Sequence, residues 1–364
     1  MAAERLAHAN HQVRLFDEKL AWEKPCGGGV TPKALWRYPF LAEAQVERKF
    51  VAACELISPA GRRVCFPLHQ KIAIFSRRVL NGLMLDRASQ AGAEIVQDRV
   101  IAIEGRPGSW RLRSRNGTQF DAAYLIIAAG ARNPFRRQFS RPFTSAELMA
   151  TAGYYIRGSS DRMQIRFIRD LDGYIWTFPR CDHFSAGIAA KMSCKPTAEL
   201  RRLLEEFLVA EGFHYSEADF FSHVIPSPTE ETFKRAPFCG DGWAMAGDAA
   251  GFVDPITGEG IYYAFRSAEL VADAIIAGRP EAYRTMLSQD LLPELAAAAR
   301  YAHQFYRGSF LGQPILERMV QFVAESIRFR DMIADLFAGA QAYVSLRGRC
   351  YRQLLPLVWD VIVS

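Results

Sequence analysis

Long apolar runs, regular cysteine spacing and a leader-like N-terminus are all missing from this sequence of 364 residues. No run approaches the roughly 18 apolar residues that a membrane-spanning helix needs, and the opening Met-Ala-Ala-Glu-Arg-Leu-Ala lacks the pattern of a signal peptide. The seven cysteines include no CxxC pair, and neither they nor the seven histidines show metal-ligand or triad spacing. We therefore predict reduced thiols, no metal site and a cytoplasmic protein, either soluble or attached peripherally to a membrane.

The charge balance also excludes a class of partner. The net charge is +6, from 45 basic and 39 acidic side chains that are interspersed along the chain. Nucleic-acid binding usually needs a clustered basic stripe, so we predict no nucleic-acid partner. Weak attraction to anionic phosphates or lipid head groups stays open. Half of the residues are apolar, which is enough for one large domain or two fused ones.

An α/β pattern occurs in three separate parts of the chain. Apolar spacing predicts a helix over 77–91 that stops at Gly92, followed by a strand over 93–97. The continuous apolar run at 124–128 is typical of a strand buried on both faces of a parallel sheet. A similar apolar pattern begins at Trp243 and precedes a predicted helix over 260–277. Between these parts, aromatic segments predict a mostly antiparallel insert.

We therefore predict an α/β fold with a discontinuous Rossmann-like domain, an antiparallel β-rich second domain and a helical C-terminal region. The predicted boundaries are 1–45, 68–137 and 238–280 for the first domain, 46–67 and 138–237 for the second, and 281–364 for the helical region.

The segment 246–261, AGDAAGFVDPITGEGI, brings a strand end, an acid, a series of small residues and a helix start together. Asp248 can accept hydrogen bonds from sugar hydroxyls, and the free N–H groups that open the next helix favour an anion. A lone Gly-Asp pair is more often a capped turn, but the whole string favours a nucleotide site.

This string resembles the second FAD motif of flavin hydroxylases, halogenases and geranylgeranyl reductases. Two further segments narrow the resemblance to the reductases. Pro25-Cys26-Gly27-Gly28-Gly29 resembles their glycine loop, and Tyr174-x-Trp176-x-Phe178-Pro179 with the later Gly187 resembles their substrate-cavity signature. The resemblance covers about residues 1–280 and implies that the discontinuous domain binds FAD.

The resemblance also implies a set of site residues. The cofactor-binding positions are Asp17, Gly27, Gly28, Arg77, Ala129, Gly130, Gly247, Asp248, Pro255, Gly258, Gly260 and Ile261. The substrate cavity is implied for Tyr174, Trp176, Phe178 and Pro179. Two positions have rivals in the next residue, since Glu18 competes with Asp17 and Arg78 with Arg77. Cys26 is a candidate catalytic residue, yet a thiol there could also pack as a small apolar group.

The implied activity is FAD-dependent reduction of carbon–carbon double bonds in a polyprenyl, geranylgeranyl-type lipid. The reductant would be NAD(P)H or reduced ferredoxin, and the partner a small isoprenoid or apolar molecule; oligomeric state stays open. One alternative is an FAD monooxygenase or halogenase acting on an apolar or aromatic substrate. Another is a non-catalytic remnant.

The interpretation as a non-catalytic remnant comes from the N-terminal residues of the sequence. Dinucleotide folds normally open with a strand and G-x-G-x-x-G, whereas residues 2–9 already read as a helix and 13–17 as the following strand. On this pattern Met1 would be a late start, and the chain is expected to fold poorly and to bind FAD weakly.

Overall fold

The computed structural model describes residues 1–352. The helices are α1 (Ala2–His8), α2 (Pro32–Arg37), α3 (Phe40–Glu43), α4 (Arg77–Gln90), α5 (Arg136–Phe139), α6 (Thr197–Ala210), α7 (Glu230–Arg235), α8 (Ile261–Ile276), α9 (Ala282–Gln289), α10 (Leu291–Arg307), α11 (Ile315–Glu325) and α12 (Ile327–Phe337). The strands are β1 (Arg14–Phe16), β2 (Gly29–Val30), β3 (Lys49–Ile57), β4 (Arg63–Ile74), β5 (Glu94–Val96), β6 (Val100–Arg106), β7 (Ser109–Ser114), β8 (Gln119–Ala122), β9 (Leu125–Ile127), β10 (Leu148–Arg157), β11 (Arg162–Phe167), β12 (Gly173–Pro179), β13 (His183–Lys191), β14 (Asp219–Pro226), β15 (Cys239–Gly240), β16 (Trp243–Met245), β17 (Ser309–Phe310) and β18 (Gln313–Pro314).

An eight-stranded sheet dominates the structure, in the order β14-β10-β13-β12-β11-β3-β4-β2. All neighbours in it are antiparallel except β11 and β3, which run parallel. The glycine loop joins this sheet through β2, and β4 continues without a break past the predicted domain boundary at residue 67. The segments named for the two domains therefore meet within one sheet, and the domain boundaries stay a prediction.

The α/β part contains short parallel strands covered by helices. β1 pairs parallel with β5, and β16 pairs parallel with β9, with Trp243 opposite Leu125. The segments 124–128 and 243–247 thus lie in the same sheet. The helix signals of the sequence coincide with the helix ends, because α4 stops before Gly92 (φ 98°) and α8 before Gly278 (φ 67°).

Two other features follow directly from local sequence. The Asn116-Gly117 pair joins β7 to β8 within the antiparallel meander β6-β7-β8, and Gly117 has the positive φ of 91° that this tight turn favours. The helices α11 and α12 place apolar side chains against β3, β4 and β11 in one buried cluster. The predicted α/β fold class with a helical C-terminal region is confirmed over residues 1–352, and positions 353–364 of that predicted region lie outside the described residues.

None of the helices within residues 1–352 is both long enough and apolar enough to cross a bilayer.

Candidate functional site

The turn after β16 carries Asp248 to the N-terminal end of α8. Gly247 has φ of 56°, and a Cβ on it would lie 3.1 Å from Ala264 Cβ, so only a glycine lets the turn approach α8 this closely. Asp248 Oδ1 lies 3.3 Å from the position that a Cβ on Gly260 would take. Within the described residues no side chain caps α8, so its first N–H groups and the helix dipole remain available to an anion.

Cations from separate segments gather around Asp248. Lys24 Nζ lies 3.4 Å from Asp248 Oδ2. His223, half-buried on β14, is influenced by the same charges: its pKa is lowered to about 4 by burial first and then by Lys24, Arg132 and Arg77, with Asp248 opposing them. The region is therefore electropositive and suits an anionic group such as a diphosphate. Sequence reasoning gave no role to any histidine, and no motif marked His223.

Asp254 fixes the turn at 255–258 from inside the protein. Its Oδ1 accepts the backbone N–H of Ile256 at 2.8 Å and of Thr257 at 3.3 Å, and its Oδ2 accepts the hydroxyls of Thr257 at 2.7 Å and Tyr343 at 2.8 Å. Burial raises the pKa of Asp254 even against these four bonds. Asp254 was not among the residues predicted for the site, although an acid directly before a proline favours such an Asx turn.

Glu259 connects the turn at 258–260 to the end of the glycine loop. Thr31, the residue after β2, donates its hydroxyl to Glu259 Oε1 at 2.6 Å. Burial raises the pKa of Glu259 to about 7, while the Thr31 hydrogen bond and Lys33 oppose the rise and Asp254 adds to it. A carboxyl that titrates near neutrality beside a proposed cofactor turn is a feature of functional sites, and the sequence analysis missed it.

The glycine loop owes its composition to close packing. Gly28 has φ of 84°, and a Cβ on it would lie 2.1 Å from the carbonyl oxygen of Phe75. A Cβ on Gly27 would lie 2.7 Å from Phe178 Cδ2, in the aromatic row of β12. The thiol of Cys26 accepts the N–H of Gly28 at 3.3 Å. The loop is therefore packed between the end of β4 and β12, with no room for a side chain at Gly27 or Gly28.

Two side chains of the large sheet hold the Cys26 carbonyl. Arg180 Nη2 donates to it at 3.0 Å, and Ser185 Oγ donates to it at 2.9 Å. Ser185 also accepts the indole N–H of Trp176 at 3.4 Å. Ser185 therefore contacts both the Cys26 carbonyl and the Trp176 indole.

The N-terminal amides of α4 are occupied by a carboxylate of the chain itself. Glu23 accepts the backbone N–H of Arg77 at 2.9 Å and of Arg78 at 3.3 Å, and it also accepts the hydroxyl of Ser76. Burial would raise the pKa of Glu23, but Arg180, which donates to it at 2.8 Å, and these hydrogen bonds hold the pKa below its ordinary value. These amides are therefore not available to a cofactor phosphate, which can use the Arg77 side chain; the Arg78 side chain is exposed.

The aromatic row of β12 lies on the face of the large sheet that packs against the glycine loop. Tyr174, Trp176 and Phe178 alternate along the strand and belong to one aromatic cluster, while Pro179 is buried at the strand end. The Tyr174 hydroxyl donates to the carbonyl of Thr257 and lies 2.7 Å from the position of a Cβ on Gly258. The aromatic row thus contacts the proposed flavin turn directly.

Two glycines of the large sheet lie directly against the rings of Trp176 and Phe221. Gly153 and Gly187 stand opposite each other on β10 and β13. A Cβ on Gly187 would lie 2.4 Å from the Trp176 ring, and one on Gly153 would lie 2.2 Å from Phe221. The glycines allow both rings to lie close to the sheet.

The remaining predicted residues lie in turns at strand ends. Asp17 is exposed after β1, and its carboxylate accepts the N–H groups of Lys19 at 2.9 Å and Leu20 at 3.3 Å. The rival Glu18 is paired with Arg115 at 2.8 Å. Ala129 and Gly130 follow β9, where Gly130 has φ of 77° and its carbonyl accepts the N–H of Asn133. Their contact with a cofactor stays a prediction.

Comparison with known proteins identifies several that are similar to this chain. No family model matches. The geranylgeranyl diphosphate reductase of the rice chloroplast is 27% identical over 383 aligned residues, which span 98% of this chain and 79% of the rice protein. A geranylgeranyl bacteriochlorophyll reductase-like protein of Thermoplasma acidophilum has the same fold, with a TM-score of 0.79, 18% identity and coverage of 96% and 95% of the two chains.

The flavin-dependent brominase Bmp2 is similar in fold as well, with a TM-score of 0.72, 16% identity and coverage of 96% and 95%. At these identities the solved structures support the fold alone. Several curated reductases match over most of the chain's length, including one from Synechocystis that is 25% identical over 92% of this chain. By sequence the chain is similar to geranylgeranyl reductases, and these relatives support an FAD-dependent oxidoreductase.

Proposed function

We propose that this protein saturates carbon–carbon double bonds of a geranylgeranyl-type lipid, using reduced FAD as the hydride donor. The observation that carries the proposal is the direct contact between the aromatic row and the turn at 257–260, through the Tyr174 hydroxyl and the Thr257 carbonyl. An apolar chain lying along Trp176 and Phe178 would then be next to the turn that we assign to the flavin ring.

The residues around Asp248 fit the cofactor. An uncapped helix N-terminus, a carboxylate and converging cations offer partners for sugar hydroxyls and for a diphosphate. We assign Asp248 to the ribityl and pyrophosphate part, and Pro255, Gly258, Gly260 and Ile261 to the ring. When bound, the reduced flavin supplies the hydride.

The protein's own contribution is to position and to exclude water. The rings of β12, of which Trp176 is buried and the other two are half-buried, provide apolar surface for a prenyl chain. The N–H groups that open α8 stabilise negative charge near the turn. Cys26 belongs to the glycine loop, which packs against the aromatic row, and its thiol is our candidate for delivering the proton to the second carbon. We propose NAD(P)H or reduced ferredoxin as the electron donor. A prenyl substrate resides in lipid, so we also propose contact with a membrane surface.

The test uses the holoprotein, reconstituted with FAD and reduced with dithionite under anaerobic conditions. Incubation with geranylgeranyl diphosphate should give products that gain two hydrogen atoms per reduced double bond, detected by mass spectrometry. Protein without FAD is the control. Unchanged substrate would refute the proposal.

The brominase-like fold gives a specific reason to test a second candidate, an FAD monooxygenase or halogenase. In an aerobic arm with NADPH and the same lipid, oxygen consumption coupled to product, together with no reduction in the anaerobic arm, would favour that candidate instead.

A further inference from the structure

Two tyrosines of the C-terminal region reach the turn at 254–258 from inside the protein. Tyr306, near the end of α10, donates its hydroxyl to the carbonyl of Ile256 at 2.6 Å. Tyr343 donates its hydroxyl to Asp254 Oδ2 at 2.8 Å. Both tyrosines are buried, with 5% and 4% of their surface exposed. Neither of them was among the residues predicted for the site from the sequence.

Both hydroxyls are placed by α10. Tyr306 belongs to this helix, and Tyr343 is tied to it because its backbone N–H donates to Glu294 Oε2 at 2.6 Å. Burial raises the pKa of both tyrosine hydroxyls well above its ordinary value. The two hydroxyls therefore stay protonated at neutral pH and act as permanent hydrogen-bond donors.

The backbone groups of Ile256 and Thr257 all have partners within the protein. Both N–H groups donate to Asp254 Oδ1. The carbonyl of Ile256 accepts from Tyr306, and the carbonyl of Thr257 accepts from Tyr174. These contacts fix the orientation of the peptide groups in the turn, because rotating one of them would break a hydrogen bond.

The N–H groups that follow this turn are in the opposite situation. Those of Gly260 and Ile261 have no hydrogen-bond partner within residues 1–352. They open α8, whose dipole favours negative charge at this end. Since Ile256 and Thr257 precede them by only a few residues, the orientation of the turn sets the direction in which these N–H groups point.

We propose that Tyr306 and Tyr343 are positioning residues that hold the turn so that the N–H groups of Gly260 and Ile261 face the flavin ring. The inference rests on the proposed function, in which this turn lies against the ring. It adds that the C-terminal helical region controls the cofactor through two hydroxyls that do not touch it.

The expected consequence is a change in the preference for reduced over oxidised FAD. Negative charge increases at the N1–C2 edge of the ring on reduction, so N–H groups that face this edge stabilise reduced FAD more than oxidised FAD. The preference is the ratio of the two dissociation constants, and the midpoint potential of bound relative to free FAD measures it. For a two-electron couple, a tenfold change in the ratio equals about 30 mV.

The test compares the FAD-loaded wild type with Tyr306→Phe and Tyr343→Phe, each equilibrated anaerobically with a reference dye. Tyr283→Phe is the matched control, because the buried Tyr283 hydroxyl likewise donates to a backbone carbonyl, that of Met245, at 2.9 Å. Each turn variant should lower the preference for reduced FAD by about three- to tenfold, as the loss of one hydrogen bond predicts. The midpoint potential would then fall by about 15–30 mV.

The control should melt below wild type, since it also loses a buried hydrogen bond, but it should keep the wild-type ratio. A wild-type ratio in the turn variants, an equal shift in Tyr283→Phe, or no FAD binding by wild type overturns the proposal. Either turn variant is sufficient if the other does not fold. No lipid takes part in this measurement, so if the shift is found but the anaerobic assay gives no reduced lipid, the proposed function fails alone.

Discussion

Alanine substitutions at two glycines with positive φ separate the cost of a steric clash in the glycine loop from the cost of backbone strain. Gly28 and Gly61 both have positive φ, 84° and 92°. Replacing either with alanine costs about 1 kcal/mol for the left-handed conformation. A Cβ on Gly61 meets nothing within 4 Å, whereas one on Gly28 would lie 2.1 Å from the carbonyl oxygen of Phe75, about 1.3 Å short of ordinary contact.

This shortfall cannot be absorbed by a side chain, because the obstacle is backbone. Phe75 also donates its N–H to the Gly28 carbonyl at 2.9 Å, and the next residues of the loop form the β2 pairing with β4. Relieving the collision must lengthen or break these bonds, each of which contributes about 1 kcal/mol. We expect Gly28→Ala to destabilise the fold by about 2–4 kcal/mol more than Gly61→Ala.

The assay is thermal unfolding of the two variants and wild type under the same conditions. A difference of roughly 2 °C per kcal/mol is expected for a chain of this size, so Gly28→Ala should melt about 4–8 °C below Gly61→Ala. Flavin absorbance after gel filtration should fall only in Gly28→Ala. Equal melting temperatures for the two variants would show that the loop does not pack as described.

Three further changes address the cofactor turn and its support. Asp248→Ala should weaken FAD retention by about 1.5–3 kcal/mol, while Ala at the exposed Asp241 should leave flavin content unchanged; equal flavin content in both refutes the Asp248 contact. Burial raises the pKa of Glu259 to about 7, so the folded protein binds the Glu259 proton more tightly than the unfolded chain does. The stabilisation from this protonation is complete below about pH 4.5 and is lost as the pH rises through 7. Glu259→Gln should remove up to about 3 kcal/mol of this pH dependence; parallel curves of melting temperature against pH for the variant and wild type would contradict it. Arg180→Met should destabilise the fold by less than the roughly 3–5 kcal/mol of a fully buried pair, because the half-buried Glu23 loses its cation but keeps its hydrogen bonds. Arg180→Met with Glu23→Gln should recover part of the loss, and chemical denaturation of the single and double variants measures both.

Local sequence was sufficient for the helices and strands whose signals are complete within a short window. The helix α8 has an apolar stripe and a glycine stop, and the hairpin at Asn116-Gly117 is specified by two residues. The turn at 246–261 could also be found, because its small residues and acid are contiguous. In each case the forces that fix the structure act between residues close together in the chain.

Contacts between distant segments could not be predicted in this way. The carboxylate that caps α4 comes from Glu23, more than fifty residues earlier, and Tyr343 reaches Asp254 from the C-terminal region. The parallel pairing of β3 with β11 joins residues about 110 positions apart. Neither composition nor periodicity carries information about such pairs, since many polar side chains could have met the same need.

The aromatic row is partly predictable from local sequence and partly dependent on contacts with distant segments. Alternation along a strand is enough to place Tyr174, Trp176 and Phe178 on one face, but not to say what that face meets. The sequence suggested that Gly27 and Gly28 expose backbone to a cofactor, yet the structure gives both a packing reason, since side chains there would meet Phe178 and Phe75. Glycines that admit an aromatic ring or a carbonyl and glycines that admit a ligand look identical in sequence, because both reflect a missing Cβ. Only the neighbours distinguish them, and here one neighbour, Phe178, is itself a residue of the proposed substrate cavity.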